Sequence, residues 1–198
     1  MNNRPSSAGA VSKVFFLKQY LLAPLGIGSV TPSSRKLAQF MIKNMELQPG
    51  DTVVELGPGT GVFTRELLFQ GVNPANLILI EFNAQFVGFL KAEFPKVNIL
   101  QGDAGELPQI LKDFGRPTTN KIISGIPLRS MKPAQRDQIA KAMAGVLVPG
   151  GKLVQFSYFP AAPVPNAVAA DVGLAGHRAG LVLRNVPPAF VWQYSKAR

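Results

Sequence analysis

A glycine-rich loop between a short apolar strand and a helix constrains this chain more than any other feature of its sequence. Residues 53–64 read VVELGPGTGVFT, with Gly57, Gly59 and Gly61 at alternate positions. Glycines at this spacing let the backbone turn sharply and approach a ligand closely. The dinucleotide pattern G-x-G-x-x-G does not fit, because position 62 is valine, and the Gly-Lys-Ser/Thr of a P-loop is absent. The loop therefore predicts a ligand-binding turn of a different type.

Acidic residues stand at the ends of three consecutive predicted strands. Glu55 precedes the glycines, Glu81 ends LILIE, and Asp103 lies in LQGDA. A carboxylate at the loop disfavours phosphate and suits a cationic ligand such as S-adenosylmethionine, whose sulfonium and α-amino groups are cationic. Glu81 could then accept both ribose hydroxyls, and Asp103 the adenine amino group. Each acid alone could simply cap a helix, whereas the ordered set predicts a cofactor site at one edge of the sheet.

Strands and helices are expected to alternate over most of the chain. Five apolar runs predict strands, at residues 52–56, 76–81, 97–100, 121–124 and 152–158. Helices are predicted at 61–69, 84–94, 105–112 and 133–146, with a turn at 149–151 and a short helical stretch at 166–171. This alternation indicates an α/β fold with a mainly parallel sheet and helices on both faces. Two final apolar runs leave little room for a crossover helix and should pair antiparallel at one edge, at 178–185 and 190–195.

The chain is expected to divide into an N-terminal helical segment, 1–45, and an α/β domain, 46–198. A first helix is predicted at 11–22, and a second begins at Ser33 or Ser34 and ends near residue 44. The first helix is more apolar than one core contact needs, so it should lie in a membrane interface, cover the active site, or both. No segment approaches the roughly 18–20 uninterrupted apolar residues of a membrane-spanning helix.

Charge is distributed unevenly, with 21 Lys and Arg against 11 Asp and Glu, a net charge of +10. No acid precedes Glu46, and only Asp137 and Asp171 follow Asp113. This asymmetry predicts an anionic partner, either nucleic acid or an anionic lipid surface, beside the simpler interpretation of a basic soluble surface. With no cysteine and one histidine, His177, the chain has no disulfide and no predicted metal site.

Residues from about 50 to 158 resemble the class I S-adenosylmethionine-dependent methyltransferases. The ELGPGTG form of the loop is typical of the branch shared by ribosomal RNA adenine dimethyltransferases and bacterial phospholipid N-methyltransferases. The resemblance implies a Rossmann-like, seven-stranded sheet, S-adenosylmethionine as methyl donor and S-adenosylhomocysteine as product. It implies a cofactor site made of Glu55, Gly57, Gly59, Thr60, Gly61, Glu81, Phe82, Asp103, Ala104 and Ser124.

The end of the fourth strand bears on the methyl acceptor. In amine-modifying nucleic-acid enzymes of this superfamily it reads Asn/Asp-x-Pro-Tyr/Phe, whereas here it reads SGIPL from Ser124 to Leu128. The proline is kept, but serine replaces the amide and leucine replaces the aromatic ring. Leucine cannot stack on a flipped base, which removes about 1–3 kcal/mol per base. A nucleic-acid partner is therefore disfavoured, and RNA adenine N6-methylation of the ribosomal dimethyltransferase type stays as the alternative.

Further blocks resemble the bacterial phospholipid N-methyltransferases. They are V-x-P-S-S-x-x-L-A at 30–38, SGIPL at 124–128, QFSYFPAAPVP at 155–165 and LRNVPPAFVWQY at 183–194. This resemblance implies N-methylation of phosphatidylethanolamine and its methylated intermediates toward phosphatidylcholine. The expected partner is an anionic phospholipid surface, and the expected location is cytoplasmic, peripheral on the inner face of the cytoplasmic membrane.

The lipid amine must be neutral to accept a methyl group, and burial would lower its pKa. Ser124 or the Ile126 carbonyl could orient its lone pair, with no dedicated base. Tyr158 is the candidate for one wall of the amine pocket through cation–π attraction, and Tyr20 is a weaker candidate. Two cations are placed to bind the lipid phosphate, Arg35 and Arg129.

Overall fold

Short apolar runs of the sequence form one seven-stranded sheet in the computed structural model, which describes residues 34–198. The strands are β1 Val53–Leu56, β2 Leu77–Glu81, β3 Asn98–Gln101, β4 Thr119–Ser124, β5 Leu147–Ser157, β6 Leu174–Val182 and β7 Ala189–Lys196. Their order across the sheet is β3-β2-β1-β4-β5-β7-β6. β1 to β5 are parallel, and β7 pairs antiparallel with both β5 and β6. The predicted parallel sheet with an antiparallel C-terminal edge is confirmed.

Six α-helices connect or flank these strands within the described residues. They are α1 Arg35–Lys43, α2 Val62–Phe69, α3 Ala84–Glu93, α4 Leu107–Asp113, α5 Pro133–Val146 and α6 Asn166–Asp171. Ser34 caps α1 as predicted, because its Oγ accepts a hydrogen bond of 3.1 Å from the Leu37 N–H. None of these helices is long and apolar enough to cross a membrane.

The centre of the sheet is buried on both faces, as parallel sheets require. Every residue of β1 and β2 is buried. Because side chains alternate along a strand, Val54, Ile78 and Ile122 share one core with residues of α4 and α5, including Leu107 and Ile139. The five parallel strands therefore end side by side, and the loops that follow them form one edge, which we call the carboxyl edge.

Residues 34–45 belong to the same compact unit as the sheet, since the described residues form one such unit. In that unit α1 packs against α2. The helix expected at 11–22, and with it Tyr20, lies outside the described residues.

Three local predictions differ from the structure. The strand expected at 178–185 begins and ends earlier, as β6 Leu174–Val182. The turn expected at 149–151 lies inside β5, where Thr119 pairs with Leu147 and Lys121 with Lys152, so an irregular register absorbs the Pro-Gly-Gly residues. The helix expected from residue 105 begins at Leu107 instead. A 3-10 turn comes first, because the Asp103 side chain accepts a hydrogen bond of 2.7 Å from the Gly105 N–H.

Candidate active site

The glycine loop between β1 and α2 adopts a backbone that L-residues rarely accept. Gly57, Gly59 and Gly61 have φ angles of 63°, 54° and 74°, in the left-handed region. Gly61 has a second reason to be glycine, since a Cβ there would lie 2.5 Å from the Phe94 ring. The loop can therefore lie close to the sheet edge and to a ligand bound there.

Glu55 is fully buried at the end of β1 with one oxygen unsatisfied. Its Oε2 accepts a hydrogen bond of 2.7 Å from the Thr64 hydroxyl, while its Oε1 is buried without a partner among the described residues. Burial raises the pKa of Glu55 to about 8; the bonds from Thr64 oppose this shift, and the nearby charge of Glu81 adds to it. A buried acceptor without a donor is costly, so this oxygen fits an amino group brought by a ligand.

Glu81 links the first two loops of the carboxyl edge. Its Oε2 accepts a hydrogen bond of 3.2 Å from the Gly59 N–H, and its Oε1 accepts one of 2.9 Å from the Asn83 N–H. A carboxylate offers about four lone-pair positions, so each oxygen keeps one for another donor. The geometry fits a pair of adjacent ribose hydroxyls.

Asp103 holds the third loop with one oxygen and leaves the other available. Oδ1 accepts from the Gly105 N–H, and Oδ2 has no partner in the described part of the chain. The Phe82 ring, which follows Glu81, is 74% exposed, and Ala104 is buried. An exposed ring and an unpaired carboxylate oxygen at neighbouring strand ends fit a flat heterocycle with an amino group, such as adenine. Thr60 lies in the first loop, where its carbonyl accepts from Arg65.

The residues that end and follow β4, 124–128, which we call the acceptor loop, lie against the glycine loop between β1 and α2, which we call the cofactor loop. Ser124 is fully buried and its Oγ accepts from the Ile126 N–H at 3.3 Å. The Ile126 carbonyl accepts two bonds of 2.9 Å, from the Gln155 Nε2 and from the Leu128 N–H. Both lone pairs of this carbonyl are used within the fold, which contradicts the expectation that it orients the acceptor amine.

Gln155 is a functional candidate that the sequence reasoning missed. It is fully buried in β5 and in register with Ser124 on the neighbouring strand. Its Nε2 donates to the Ile126 and Phe156 carbonyls, each at 2.9 Å, whereas its Oε1 is buried without a partner in the described residues. The available signal was a single amide inside the apolar run KLVQFSYF. The β5 strand thus brings an amide oxygen to residues 124–128, where Ser124 stands in place of the Asn or Asp of the nucleic-acid enzymes.

Tyr158 ends a row of aromatic rings that runs from α2 toward the rim of the site. Phe63 and Phe156 meet edge to face with ring centroids 6.1 Å apart, and Phe156 and Tyr158 do so at 5.4 Å. The Tyr158 hydroxyl is buried without a hydrogen-bond partner among residues 34–198. Burial raises the pKa of Tyr158, and the neighbouring Asn185 side chain offsets part of that shift without closing a hydrogen bond.

The two predicted phosphate-binding arginines differ in what they contact. Arg35 forms an ion pair of 3.2 Å with Glu66, and its guanidinium lies 5.2 Å from the centroid of the Phe69 ring. Arg129, in the 3-10 helix after β4, is exposed and makes no ion pair or hydrogen bond within the described part of the chain. Arg129 is therefore the freer of the two for an anion.

Comparisons with known proteins identify the family of the chain. A family model described as ribosomal RNA adenine dimethylase matches residues 32–114. An ornithine lipid N-methyltransferase from Singulisphaera acidiphila is 30% identical over 149 residues, 73% of this chain and 77% of that protein. The chain belongs to the class I S-adenosylmethionine-dependent methyltransferases. S-adenosylmethionine is accordingly the cofactor of this methyltransferase, as the three carboxylates predicted.

More distant relatives of the methyltransferase match it either in sequence over part of the chain or in fold alone. A ribosomal RNA small subunit methyltransferase A from Malacoplasma penetrans is 31% identical, over 57% of this chain and 40% of that protein. The Thermus thermophilus TrmN structure has a TM-score of 0.64 at 18% identity, covering 91% of this chain and 52% of that one. A Burkholderia thailandensis N1-methyltransferase structure with bound S-adenosylhomocysteine has a TM-score of 0.67 at 13% identity, covering 100% and 94%. The two structures show the fold alone.

No group of three or more His, Cys, Asp or Glu side chains that could hold a metal ion occurs in the part of the methyltransferase that the structure describes.

Replacing Gly125 with alanine should disrupt the contact between the acceptor and cofactor loops. A Cβ there would lie 2.7 Å from the Gly57 carbonyl oxygen, a backbone atom that cannot rotate away. We expect about 1–3 kcal/mol of lost stability and at least tenfold weaker S-adenosylmethionine binding, measured by thermal denaturation and calorimetry. The matched control is Gly145→Ala in α5, where a Cβ meets nothing within 4 Å. Binding that is equal in the two variants would contradict the loop contact.

Proposed function

We propose that this methyltransferase transfers methyl groups to the amine of phosphatidylethanolamine and of its methylated intermediates, toward phosphatidylcholine. One observation carries the proposal. Leu128, at the position where nucleic-acid enzymes of the superfamily present an aromatic ring, is 1% exposed and packs into the core. It offers neither a ring nor a free face, so the acceptor loop lacks a platform for a flipped base.

In this proposal each of the three carboxylates binds a different part of the cofactor. Glu55 accepts from the α-amino group, Glu81 from the ribose hydroxyls and Asp103 from the adenine amino group. The bound cofactor supplies an electrophilic methyl group on a sulfonium. Because the glycine loop and Glu81 are joined through the Gly59 N–H, the methionine and ribose ends are held by one rigid unit.

The acceptor amine is oriented by the polar groups of β4 and β5. In the first two transfers the amine binds with one N–H donated to the Gln155 Oε1, which has no other donor among the described residues, and the Ser124 hydroxyl lies on the neighbouring strand. The dimethylated amine of the third transfer has no N–H to donate. Burial beside the aromatic row favours the neutral amine, whose lone pair then points at the methyl carbon. The Tyr158 ring stabilises the ammonium that forms. After the first and the second transfer, the product ammonium releases a proton to solvent before it accepts the next methyl group.

Two other acceptors have observations in their favour. An ornithine lipid also carries an amine, and a relative that acts on such a lipid is covered over 77% of its length. Ribosomal RNA is favoured by the family match at 32–114, although the chain covers only 40% of the Malacoplasma relative. The buried Leu128 favours either lipid over RNA as the acceptor, because it leaves no platform for a flipped base.

The test uses the purified full chain with methyl-labelled S-adenosylmethionine and three acceptors offered separately. They are phosphatidylethanolamine vesicles, ornithine lipid vesicles and unmodified ribosomal RNA. We expect label in phosphatidylethanolamine, and mono-, di- and trimethylated products on chromatography. Label in RNA with none in lipid would contradict the proposal, and label only in ornithine lipid would correct its substrate.

Replacing Arg129 with glutamine should weaken the use of phosphatidylethanolamine specifically. A charged hydrogen bond to the lipid phosphate contributes about 1.5–3 kcal/mol, so KM should rise about tenfold or more with little change in kcat. The control is Lys112→Gln, which removes the same charge from an exposed residue in the last turn of α4. Ornithine lipid, which has no phosphate, should show no comparable rise. Equal KM values for the Arg129 and Lys112 variants would exclude this role.

A further inference from the structure

Large apolar side chains are exposed in the loop between β6 and β7 and at the end of β5. Leu183 is 71% exposed, Val186 78% and Phe159 52%. The register aligns Ser157 of β5 and Leu181 of β6 through Phe190 of β7, which lies between them. Phe159 lies two residues beyond Ser157, and Leu183 lies two residues beyond Leu181. Both are therefore at the carboxyl edge, beside the candidate active site. We call Leu183, Val186 and Phe159 the apolar tip.

The loop that carries the apolar tip is held in place from inside. Asn185 is 1% exposed, its Oδ1 accepts from the Ser34 N–H at 2.9 Å, and its Nδ2 donates to the Pro187 carbonyl at 2.7 Å. Leu183 and Val186, on either side of this anchor, point outward. Side chains that stay exposed on a fixed loop cannot be explained by core packing, and contiguous exposed apolar groups mark an interaction surface.

Charge indicates what this surface meets. The chain after Asp171 contains Arg178, Arg184, Lys196 and Arg198 and no acidic residue. Arg184 lies next to Leu183 in the loop and is exposed. Lys196 and Arg198 lie at the other end of the β6–β7 hairpin, so Arg184 is the cation at the tip. Apolar side chains beside an exposed cation match a bilayer interface, where acyl chains lie beneath anionic headgroups.

We propose that the apolar tip inserts into an anionic phospholipid surface and brings the acceptor pocket against the headgroups. Phe159 follows Tyr158 directly in the chain, and Tyr158 lies beside Asn185. Inserting the tip therefore places the wall of the amine pocket at the depth of the lipid amine. The inference rests on the proposed lipid substrate for its purpose, but membrane binding by the tip can be measured without any methyl transfer.

The binding experiment measures sedimentation of the full chain with vesicles of phosphatidylethanolamine and phosphatidylglycerol. The double variant Leu183→Ser and Val186→Ser should bind about tenfold more weakly or worse, and Arg184→Gln about fivefold more weakly. The control for general surface hydrophobicity is Phe69→Ser in α2, a residue 74% exposed. It should bind as the unmodified protein does. Equal binding by the double variant, or an equal loss in the Phe69 variant, would overturn the proposal.

A second readout separates this inference from the proposed reaction. Methyl transfer is compared on vesicles and on short-chain phosphatidylethanolamine dissolved as monomers. The double variant should lose activity on vesicles about tenfold and keep it on the monomeric lipid, since docking is needed only at a surface. Equal loss on both would mean that the tip acts on the pocket and not on the membrane. If the unmodified protein methylates neither form, the proposed reaction fails, while vesicle binding still tests the tip.

Discussion

Replacing Glu55 with glutamine should stabilise the ligand-free protein and abolish tight cofactor binding. Burial raises the pKa of Glu55 to about 8, from an ordinary value of 4.5. Because the pKa of Glu55 is higher in the folded state than in the unfolded state, its contribution to stability is fully present below pH 4.5. That contribution is lost as the pH rises through 8. At pH 7 the shift amounts to about 3 kcal/mol against the folded state, which the neutral amide does not incur.

Cofactor affinity should change in the opposite direction. An α-ammonium group binds the ionised carboxylate, so affinity should fall roughly tenfold for each pH unit below 8. The glutamine variant should bind at least about a hundredfold more weakly, because truncating one partner of a buried charge pair costs about 2–5 kcal/mol, and its pH dependence should be lost. Denaturant unfolding and calorimetry between about pH 6 and 9 measure both effects.

Glu66→Gln in α2 is the matched control for the stability effect. Burial raises the pKa of Glu66, but the bonds from Gln70 and Arg35 outweigh it and hold the pKa below its usual value. That carboxylate contributes stability above its unfolded pKa, so its amide variant should lose stability at pH 7, where the Glu55 variant gains it. Glu55→Gln would contradict the account if it also lost stability, or if it bound the cofactor normally.

Replacing Gln155 with leucine should lower kcat about a hundredfold while S-adenosylmethionine binds within about twofold of its normal affinity. The variant removes the Gln155 Oε1, which among the described residues is the one buried amide oxygen without a donor at the acceptor loop. It removes no atom that holds the cofactor. Without that acceptor, the amine N–H has no fixed partner and its lone pair is not aligned with the methyl carbon. Single-turnover kinetics with saturating lipid measure the effect directly.

The Gln155 variant also loses two internal hydrogen bonds, so its control must also lose a hydrogen bond made by a buried amide. Gln193→Leu serves, because Gln193 is 5% exposed in β7 and its Nε2 donates to Glu46 at 3.1 Å. Both variants should lose about 1–2 kcal/mol of stability. Only the Gln155 variant should lose turnover when both are assayed well below their melting temperatures. An equal loss of turnover in both would reduce Gln155 to a structural role.

The cofactor side could be predicted from the sequence because its signals are local. Glu55 and Glu81 each stand inside or at the end of a short apolar strand, where an acid is conspicuous, and parallel strands align their carboxyl ends. The acceptor side depends on pairing across the sheet. That Gln155 lies beside Ser124 follows from the β4–β5 register, which no spacing in the sequence gives. The expectation that the Ile126 carbonyl orients the acceptor amine fails partly for the same reason, because Gln155 on β5 occupies one of its lone pairs and the Leu128 N–H occupies the other.

Long-range contacts explain the other differences. The ion pair of Arg35 with Glu66 joins residues 31 positions apart, so the sequence shows two separate charges where the structure has one pair. The Pro-Gly-Gly run at 149–151 has the composition of a turn, but pairing with β4 continues past it. Leu183 reads in the sequence as part of the apolar run 178–185, and only the end of β6 at Val182 shows that this side chain is left outside the sheet.

The lipids of a living cell test most directly whether the methyl acceptor is a lipid amine. The full chain is expressed in a bacterial host that makes phosphatidylethanolamine but no phosphatidylcholine, and the lipids are analysed by mass spectrometry beside a host that expresses Glu55→Gln. We expect mono-, di- and trimethylated phosphatidylethanolamine with the unmodified chain and none with the variant. Unchanged lipids together with newly dimethylated adenines in the ribosomal RNA would contradict the account.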